Sequence, residues 1–421
     1  MDNFSKIIGY EKEKEELKRT ADMLKNSEKY LRRSVTIPNA LLLYGVPGTG
    51  KTVMAKAMIA ESGLPCFSCI KNTHNGEFVN NIRKTFKEAM ENAPAIVFLD
   101  DMDKFAEDNL DVNCNKEEFA VIQASLEDVR GKGVFVLATA NDIDNLPRSL
   151  MRSGRFGRKM EIKTPNLKDA TLIIEGYLNE ISCEKELESS TLSLILSGKS
   201  CSTIECVINE ARMLAVYDNS DVITKEHFVH SIMRVSENLI ESPMTNSELK
   251  KRVAYHEIGH AIVDYFNGSK ISLISILGYG NGNGICQIFD NTIDYSFDRV
   301  KQRACALLAG KAAIKIAFDE EDMGVESDLE IAMQEIREAI EKKCGDGFEY
   351  GYCLRGWNKK QAYGRMDKVT NRAYDIAREC YEKALNRLKN NVGLLHKIAE
   401  HLIERGFILG NEFEALVKEG L

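Results

Sequence analysis

Short apolar runs alternate with charged, helix-length stretches from Asn3 to about Pro165. Near-continuous apolar runs separated by helical segments are typical of a parallel sheet that helices cover on both faces. The pattern therefore predicts an α/β domain over residues 1–165. Its predicted strands are Ala40–Tyr44, Ala95–Leu99, Val134–Ala138 and Met160–Ile162.

Beyond residue 166 the strand signals fade, and apolar residues recur at helical spacing. Cys206–Leu214 shows this spacing and predicts part of a small helical lid over residues 166–241. Ser242–Thr245 combines a proline with short polar residues, which favours a linker. A mainly helical third domain is predicted for residues 242–421, with one apolar stripe. That stripe consists of Val369, Ala373, Ile376, Cys380, Ala384 and Leu388.

The composition narrows the function classes. The chain has 421 residues, of which 44% are hydrophobic and 29% charged, as in ordinary globular proteins. A net charge of −8 disfavours nucleic acid as a partner, because phosphodiester backbones attract positive surfaces. No apolar run approaches the roughly 18 residues of a membrane span, and no signal peptide is evident, so we expect a soluble, cytoplasmic protein. Its 11 cysteines are expected to be free, and the lone C-x-x-C of Cys66 and Cys69 is interpreted as structural.

Gly45–Thr52 reads G-V-P-G-T-G-K-T and matches the phosphate-binding pattern G-x-x-x-x-G-K-[ST]. It follows the predicted strand Ala40–Tyr44 and precedes a helix-compatible run, which is the context that the pattern requires. The glycines let backbone N–H groups turn toward phosphate oxygens, and the helix adds its positive N-terminal end. Lys51 is predicted to reach the β- and γ-phosphates of a nucleotide, and Thr52 to ligate Mg²⁺. The predicted nucleotide-binding residues are Pro47, Gly48, Thr49, Gly50, Lys51, Thr52 and Val53.

Polar residues follow two further predicted strands. Asp100 and Asp101 come directly after Ala95–Leu99, where one acid would hold the Mg²⁺ shell and the second would polarise the attacking water. Asn141 follows the next strand and is expected at the same edge of the sheet. Downstream, Arg152–Arg158 contains three arginines in seven residues. Taken alone, such a run would be a solvated or salt-bridged surface.

The pattern H-E-x-x-H occurs within Tyr255–Ala261. At 3.6 residues per turn, His256 and His260 lie on one helix face and can bind one Zn²⁺. Glu257 is then predicted to be the general base that accepts a proton from the catalytic water. A catalytic zinc also needs a third protein ligand and an open position for water.

The chain resembles the FtsH family of AAA+ ATP-dependent zinc metalloproteases over nearly its whole length, with both motifs in the family's order. The resemblance implies an AAA+ P-loop NTPase module with a parallel sheet and helical lid, followed by a mainly helical, zincin-type peptidase domain. It implies that Ile8 and Gly9 lie against adenine, and that Asn141 is the residue called sensor 1. It also implies that Arg152 and Arg155 are arginine fingers that complete the site of a neighbouring subunit, and hence a ring, usually of six.

The same resemblance nominates Asp328 as the third zinc ligand, because Gly324–Ala332 matches the family's stretch around an aspartate. Glu326 and Glu330 are rival carboxylates that chemistry alone does not exclude. Ile285–Phe289 is predicted to be an edge strand beside the zinc, where a peptide can pair through its main chain.

Four features depart from the family's pattern. The N-terminal membrane anchor is absent, which indicates either a soluble relative or a trimmed form. Asp101 stands where the family has glutamate, which is one methylene longer. Gly198–Ser202 loosely replaces a small-residue motif near the nucleotide. The pore-loop position that is aromatic in the family falls on His74, with Phe78 as the alternative contact.

We therefore predict a homo-hexameric, ATP-driven zinc endopeptidase whose ring unfolds and threads unfolded or loosely folded protein substrates. ATP, Mg²⁺ and Zn²⁺ are its expected cofactors. Two alternatives stay open. The first is a peptidase whose AAA+ module binds nucleotide mainly to hold the ring together, and the second is a remodelling chaperone that keeps its peptidase domain for assembly.

Overall fold

The computed structural model describes residues 3–71, 75–106, 115–179, 182–184, 187–237, 246–277, 284–289, 296–321, 326–341 and 359–420. The chain divides into two compact units. Unit 1 comprises Met1–Cys183 and Leu196–Ile223, and unit 2 comprises Glu184–Ile195 and Thr224–Leu421. The domain boundaries drawn from the sequence, near residues 165 and 241, stay a prediction.

Helices and strands alternate in the first half of the chain, and helices dominate the second half. Among the described residues the strands are β1 (Ala40–Tyr44), β2 (Cys66–Cys69), β3 (Ala95–Leu99), β4 (Val134–Ala140), β5 (Arg158–Glu161), β6 (Lys270–Ser275), β7 (Ile285–Phe289) and β8 (Phe407–Leu409). The α-helices are α1 (Glu11–Lys25), α2 (Ser27–Leu31), α3 (Lys51–Ser62), α4 (Asn75–Glu91), α5 (Asn115–Asp128), α6 (Leu167–Leu178), α7 (Ser189–Ile195), α8 (Cys201–Tyr217), α9 (Lys225–Ser231), α10 (Ser247–Phe266), α11 (Phe297–Leu307), α12 (Ala309–Phe318), α13 (Glu326–Glu341), α14 (Lys359–Lys389), α15 (Val392–Arg405) and α16 (Gly410–Gly420).

Unit 1 is built on a parallel sheet with the strand order β2-β3-β4-β1-β5. Strands β3 and β4 are buried along their whole length, as their continuous apolar composition predicts. The predicted α/β fold is therefore confirmed. The structure extends the predicted strand Val134–Ala138 to Ala140, and it places the predicted strand Met160–Ile162 slightly earlier, at Arg158–Glu161.

The parallel sheet brings the carboxyl ends of its central strands to one edge. Tyr44 of β1 registers with Ala140 of β4, and Leu99 of β3 registers with Ala138. The residues that follow these strands therefore converge, which is where open α/β sheets bind their ligands. This convergence gathers the phosphate-binding loop, the acids after β3 and the amide after β4.

Unit 2 is mainly helical and carries an antiparallel sheet with the order β7-β6-β8. β7 lies at the edge of this sheet, as the sequence predicts for Ile285–Phe289. The predicted apolar stripe lies on α14, and each of its six residues is at most 1% exposed within one hydrophobic cluster. That cluster also contains Ala254, Ile258 and Ile262 of α10.

Small residues let α10 and α12 approach each other closely. A Cβ atom added at Gly259 of α10 would lie 2.6 Å from the Ala309 carbonyl oxygen and 2.7 Å from Ala313 Cβ. A Cβ atom added at Gly310 of α12 would lie 2.5 Å from Cε1 of His256. All three distances are far below ordinary van der Waals contact, so both positions require glycine.

The sequence analysis also made predictions for a linker and for a pore-loop contact at His74 or Phe78. The linker Ser242–Thr245 and the pore-loop residue His74 lie outside the described residues. Phe78 belongs to α4 and is fully buried, with its ring edge-to-face on Phe105 at a centroid distance of 4.8 Å. Phe78 is a core residue, so the alternative that made it a substrate contact is wrong.

Among the described helices, none combines the length and apolar character needed to span a bilayer.

The contact between α10 and α12 can be tested by filling it. Gly259→Val is expected to destabilise unit 2 by at least about 1–3 kcal/mol, because the added carbons overlap the α12 backbone. Gly393→Ala is the matched control, since Gly393 lies in α15 and a Cβ there meets open space. The control is expected to be neutral or stabilising by up to about 1 kcal/mol. Differential scanning calorimetry measures both effects, and equal shifts for the two variants would contradict the close contact.

Candidate nucleotide and metal sites

The loop between β1 and α3 turns through glycines with positive φ. Gly45, Gly48 and Gly50 have φ angles of 143°, 77° and 90°, a region that residues with a Cβ rarely adopt. A Cβ at Gly48 would lie 1.9 Å from Ser202 Oγ, and the Ser202 N–H donates to the Gly48 carbonyl at 3.1 Å. The loop therefore packs on the first turn of α8, next to the segment Gly198–Ser202 that departs from the family's pattern.

Lys51 lies inside this loop with only 5% of its surface exposed. Its ammonium donates to Gly45 O at 2.7 Å, Val46 O at 3.0 Å and Asn141 Oδ1 at 2.9 Å. Three donors meet three acceptors, so the buried amine is fully hydrogen-bonded. Burial lowers the pKa of Lys51, and the carboxylates that follow β3 act in the opposite direction. The loop thus holds a cation where a phosphate group would bind.

Thr52 and Asp100 meet at the predicted Mg²⁺ position. Thr52 Oγ1 donates to Asp100 Oδ1 at 2.9 Å, and Thr139 Oγ1 donates to the same oxygen at 2.7 Å. Carboxylate and hydroxyl oxygens are the ligands that Mg²⁺ prefers. Thr52 and Asp100 could therefore hold the ion, and Thr139 orients the carboxylate.

Asp101 takes an unusual backbone conformation, with φ of 52°. Its N–H donates to Thr139 Oγ1 at 2.8 Å, and its carboxylate pairs with Lys104 Nζ at 2.7 Å. The Asp101 side chain is 35% exposed, so this ion pair adds little to stability. Its effect is to hold the carboxylate toward Lys104.

Asp103 is a residue of this site that sequence reasoning missed. It is 5% exposed and accepts the Asn141 N–H at 3.0 Å. Asn141 in turn accepts a hydrogen bond from Lys51, so Asp103 positions the predicted sensor 1. The acidic spacing D-D-x-D after β3 is the signal that could have found it.

The segment expected against adenine approaches α6 closely. Gly9 has φ of 72°, and a Cβ there would lie 2.9 Å from Asp169 Oδ1. The Tyr10 N–H donates to that same oxygen at 3.1 Å, which ties the segment to α6. Ile8 is 42% exposed and offers apolar surface to a base.

The two predicted arginine fingers have different surroundings. Arg155 donates to Ser149 O at 2.6 Å and pairs with Glu127, and its side chain is 15% exposed. Arg152 is exposed. Arg155 is therefore held by its own chain, and Arg152 is the arginine that faces outward.

The H-E-x-x-H motif lies on α10, as its spacing predicts. Nε2 of His256 and Nε2 of His260 lie 2.9 Å apart, and Oδ2 of Asp328 lies 3.1 Å and 3.4 Å from them. All three side chains are largely buried, with exposures of 12–19%. Asp328 lies in the first turn of α13 and is brought to α10 from 72 residues away.

Two imidazole nitrogens and one carboxylate fit a divalent metal, and they are the donor types of a catalytic zinc site. Burial acts to raise the pKa of Asp328, but the two neighbouring histidines outweigh it and lower that pKa. The rival carboxylate Glu330 is exposed, and the Glu326 side chain lies outside the described residues. Among the side chains that the structure describes, Asp328 is therefore the carboxylate that could complete a three-ligand site.

A backbone carbonyl orients one of the histidines. His260 Nδ1 donates to the Ala306 carbonyl at 2.7 Å. Because this proton occupies Nδ1, the neutral ring presents the lone pair of Nε2 to the shared centre. Ala306 lies on α11, so that helix sets the direction of a candidate metal ligand.

Glu257 lies beside this centre and is 8% exposed. Burial raises the pKa of Glu257, and the two neighbouring histidines act in the opposite direction. A Cβ at Gly284 would lie 2.6 Å from Glu257 Oε1, so the residue before β7 packs on the carboxylate. A buried carboxylate with a raised pKa is suited to accept and release a proton.

A cavity of about 720 Å³ opens on to the histidines, Glu257 and β7. Its walls include Cys286 of the predicted edge strand, and also Asp264 and Arg303, which sequence reasoning missed. Asp264 follows His260 by four residues and shares its helix face, and this spacing was the available signal. Burial raises the pKa of Asp264 to about 6.

Two family profiles match the chain. Residues 41–164 match the ATPase family associated with various cellular activities (AAA), and residues 243–416 match peptidase family M41. The first range contains the phosphate-binding loop and the acids after β3. The second contains both histidines and Asp328.

Similar proteins along nearly the whole chain are named ATP-dependent zinc metalloprotease FtsH. One, from Caldicellulosiruptor bescii, is 30% identical over 444 aligned residues, which cover 99% of this chain and 72% of the relative. Another, from Ruminiclostridium cellulolyticum, is 30% identical with the same two coverages. A third, from Cyanidium caldarium, is 28% identical and also covers 99% of this chain and 72% of the relative.

The third metal ligand can be tested by metal content. Asp328→Ala is expected to lower zinc affinity by at least about 100-fold, since even substitutions behind the ligands typically cost 10- to 100-fold. Glu330→Ala removes an exposed carboxylate half a turn further along α13 and is expected to leave zinc affinity unchanged. Competition with a chromogenic chelator measures both. Normal zinc affinity in Asp328→Ala would refute the assignment.

The arginines can be separated by ATP turnover. Arg152→Ala is expected to slow ATP hydrolysis by about 10³-fold or more while nucleotide binding persists, because a finger acts on charge that develops in the transition state. Glu127→Gln releases Arg155 from its partner without touching Arg152, and it is expected to keep most of the turnover. A steady-state ATPase assay with a fluorescent-nucleotide binding control measures this. Full turnover in Arg152→Ala would exclude it as the finger.

Proposed function

Because the chain belongs to the FtsH family of ATP-dependent zinc metalloproteases, we propose that unit 1 hydrolyses ATP and that unit 2 uses the work to cleave polypeptide. The chain is an ATP-dependent zinc metalloprotease with ATP, Mg²⁺ and Zn²⁺ as cofactors. The observation that carries the proposal is the cluster of His256, His260 and Asp328 beside the buried Glu257. The same chain holds a complete phosphate-binding loop around Lys51.

In unit 1 we assign each polar group a role in phosphoryl transfer to water. Bound MgATP supplies the γ-phosphoryl group together with a divalent charge that stabilises its oxygens. Lys51 binds phosphate oxygens in exchange for its carbonyl partners, and Thr52 and Asp100 hold the metal ion. Asp101 orients the attacking water. To do so, the Asp101 carboxylate must first break its ion pair with Lys104. Its side chain is also one methylene shorter than that of glutamate. Both features support slow hydrolysis.

In unit 2 the proposed chemistry is hydrolysis of a peptide bond. The residues that would hold the zinc are His256, His260 and Asp328. A zinc ion bound there would act as a Lewis acid and lower the pKa of its water. Glu257 accepts a proton from the attacking water at its carboxylate and delivers it to the leaving amine. Its burial keeps that proton away from bulk solvent between the two transfers.

Extended polypeptide is the substrate class that β7 supports. Gly284, Cys286 and Ile288 recur at every second residue along this segment, and all three line the cavity that contains the histidines. An edge strand can pair with a passing chain through main-chain hydrogen bonds, which require little side-chain specificity. Unfolded or loosely folded proteins are therefore the proposed substrates.

A homo-hexameric ring is the proposed assembly. It is supported by the exposed Arg152, which lies outside the contacts that hold Arg155 to its own chain. An arginine that completes the site of a neighbour requires a closed ring if every site is to be equivalent. The cytoplasmic location expected from the sequence stays a prediction.

The proposed function is tested by Glu257→Gln. This variant is expected to keep bound zinc and ATP turnover while proteolysis falls by about 10²- to 10⁴-fold, because the main proton acceptor is lost. Glu404→Gln, an exposed site on α15, is the matched control and is expected to retain full activity. The measurement is degradation of an unfolded protein and of a short peptide, each with and without ATP.

Each rival function has its own outcome in that assay. Cleavage of the protein at the same rate without ATP turnover would indicate a peptidase that nucleotide only assembles. ATP-driven unfolding without cleavage of either substrate would indicate a remodelling chaperone.

A further inference from the structure

Two buried cysteines lie together in the core of unit 2, Cys305 on α11 and Cys380 on α14. Both are free, and they are 8% and 1% exposed. Cys380 Sγ donates to the Lys301 carbonyl at 3.5 Å, one helical turn before Cys305. The two cysteines therefore lie close together where α11 packs on α14.

A second cavity, of about 790 Å³, gives access to Cys305. Lys301, Lys383 and Arg387 line it, together with Asp298 and several neutral amide side chains. Lys301 pairs with Asp298 at 3.5 Å, while Lys383 is exposed. A small oxidant can therefore reach Cys305 although the cysteine is buried.

The surroundings favour ionisation of one thiol of the pair. The neighbouring Cys380 thiol lowers the pKa of Cys305, burial opposes this, and the positive charges of Lys383 and Arg387 lower it further. The neighbouring Cys305 thiol and burial raise the pKa of Cys380. Because the thiolate is the reactive form, Cys305 is the attacking member and Cys380 the resolving one.

We propose that Cys305 and Cys380 are a redox-active pair that closes to a disulfide on reaction with a hydroperoxide. The Cys305 thiolate attacks a peroxide oxygen, so that an S–O bond forms, the O–O bond breaks, and the leaving oxygen takes a proton. The Cys380 sulfur then attacks the resulting sulfenic acid. The S–S bond forms, the S–O bond breaks, and water leaves with the proton of Cys380. Two thiols are oxidised as one peroxide is reduced, and a dithiol reductant reverses the reaction by exchange.

The pair adjoins the contact that orients His260. Ala306, which accepts the hydrogen bond from His260 Nδ1, directly follows Cys305. An S–S bond is only about 2 Å long, so closing the disulfide pulls α11 toward α14. Disturbing a contact of this kind typically changes metal affinity by about 10- to 100-fold. Oxidation is therefore expected to weaken zinc binding about tenfold, a consequence that rests on the proposed metal site.

Cys66 and Cys69 provide a control within the same chain. Cys66 is exposed and Cys69 is buried on β2, so the two side chains leave opposite faces of the strand. Burial raises the pKa of each thiol to about 11. These thiols are expected to react with peroxide more slowly than Cys305, despite the exposure of Cys66.

The experiment maps the oxidised thiols of the full chain. The protein is treated with stoichiometric hydrogen peroxide at pH 7, alkylated, digested and analysed by mass spectrometry. The expected product is a peptide that links Cys305 to Cys380, about 2 Da lighter than the two thiol peptides together, and that dithiothreitol separates. Cys66 and Cys69 are expected to remain thiols during the peroxide treatment and to be recovered in alkylated form. Recovery of Cys305 and Cys380 as alkylated thiols after other cysteines have oxidised would overturn the proposal.

Substitutions separate the roles of the two sulfurs. In Cys380→Ser, a sulfenic acid is expected to accumulate at Cys305 and to be trapped by dimedone, whereas in Cys305→Ser, Cys380 is expected to stay a thiol. Equal trapping at both positions would overturn the assignment of attacking and resolving residues. Lys383→Gln is expected to slow disulfide formation about three- to tenfold through loss of a positive charge. Lys389→Gln, an exposed lysine of the same helix outside the cavity, is the matched control with an unchanged rate.

Zinc retention tests the link to the metal site separately. Release of zinc to a chromogenic chelator is compared between the reduced chain, the oxidised chain and the oxidised Cys380→Ser variant. Faster release only from the disulfide form supports the link through Ala306. Equal release from all three would refute that link. Because the peptide mapping uses neither zinc nor ATP, a failure of the proposed function leaves the mapping result unaffected.

Discussion

The close approach of α10 and α12 is the constraint on which the metal site depends. Gly259 faces the Ala309 carbonyl, and Gly310 faces the ring of His256. At these two glycines, therefore, there is no room for a side chain between the helices. His256 is confined by α12 and His260 by the carbonyl of α11. The imidazoles are thus oriented by packing before any metal binds.

Main-chain carbonyls play the same part in unit 1. The ammonium of Lys51 is buried, and a buried charge is costly unless its hydrogen bonds are satisfied. Gly45 and Val46 supply two of its acceptors from the loop itself. In both units, therefore, the backbone orients the reactive side chain, and glycines allow the backbone to come close enough. Such sites need few side-chain ion pairs, which contribute little when they are exposed.

Local patterns predicted much of this architecture. Continuous apolar runs predicted the bounds of β1 and β3, because strands covered on both faces have no polar positions. Periodicity alone placed His256 and His260 on one helix face. The residues that the sequence left undetermined are fixed by distant contacts. Arg155 could not be assigned its partner Glu127, which lies 28 residues away on another element.

The metal site shows the same difference between what local spacing predicts and what distant contacts determine. Asp328 was nominated only through the resemblance, because no local rule connects it with α10 across 72 residues. The sequence alone did not decide whether Phe78 is a core residue or a surface contact. The packing of α4 buries it. Spacing specifies which residues share a face, whereas the neighbours of that face follow from how whole helices pack.

The contact of α8 with the phosphate-binding loop lies at one end of a long helix. Its first turn contacts Gly48 through the Ser202 hydrogen bond, and its 17 residues extend about 25 Å from that contact. A tilt of about 5° at the loop displaces the far end by roughly 2 Å at that length. The far end carries Met213, Val216 and Tyr217, which are 58%, 77% and 84% exposed. A small adjustment of the loop would therefore move this exposed apolar end of α8 far more than the loop itself.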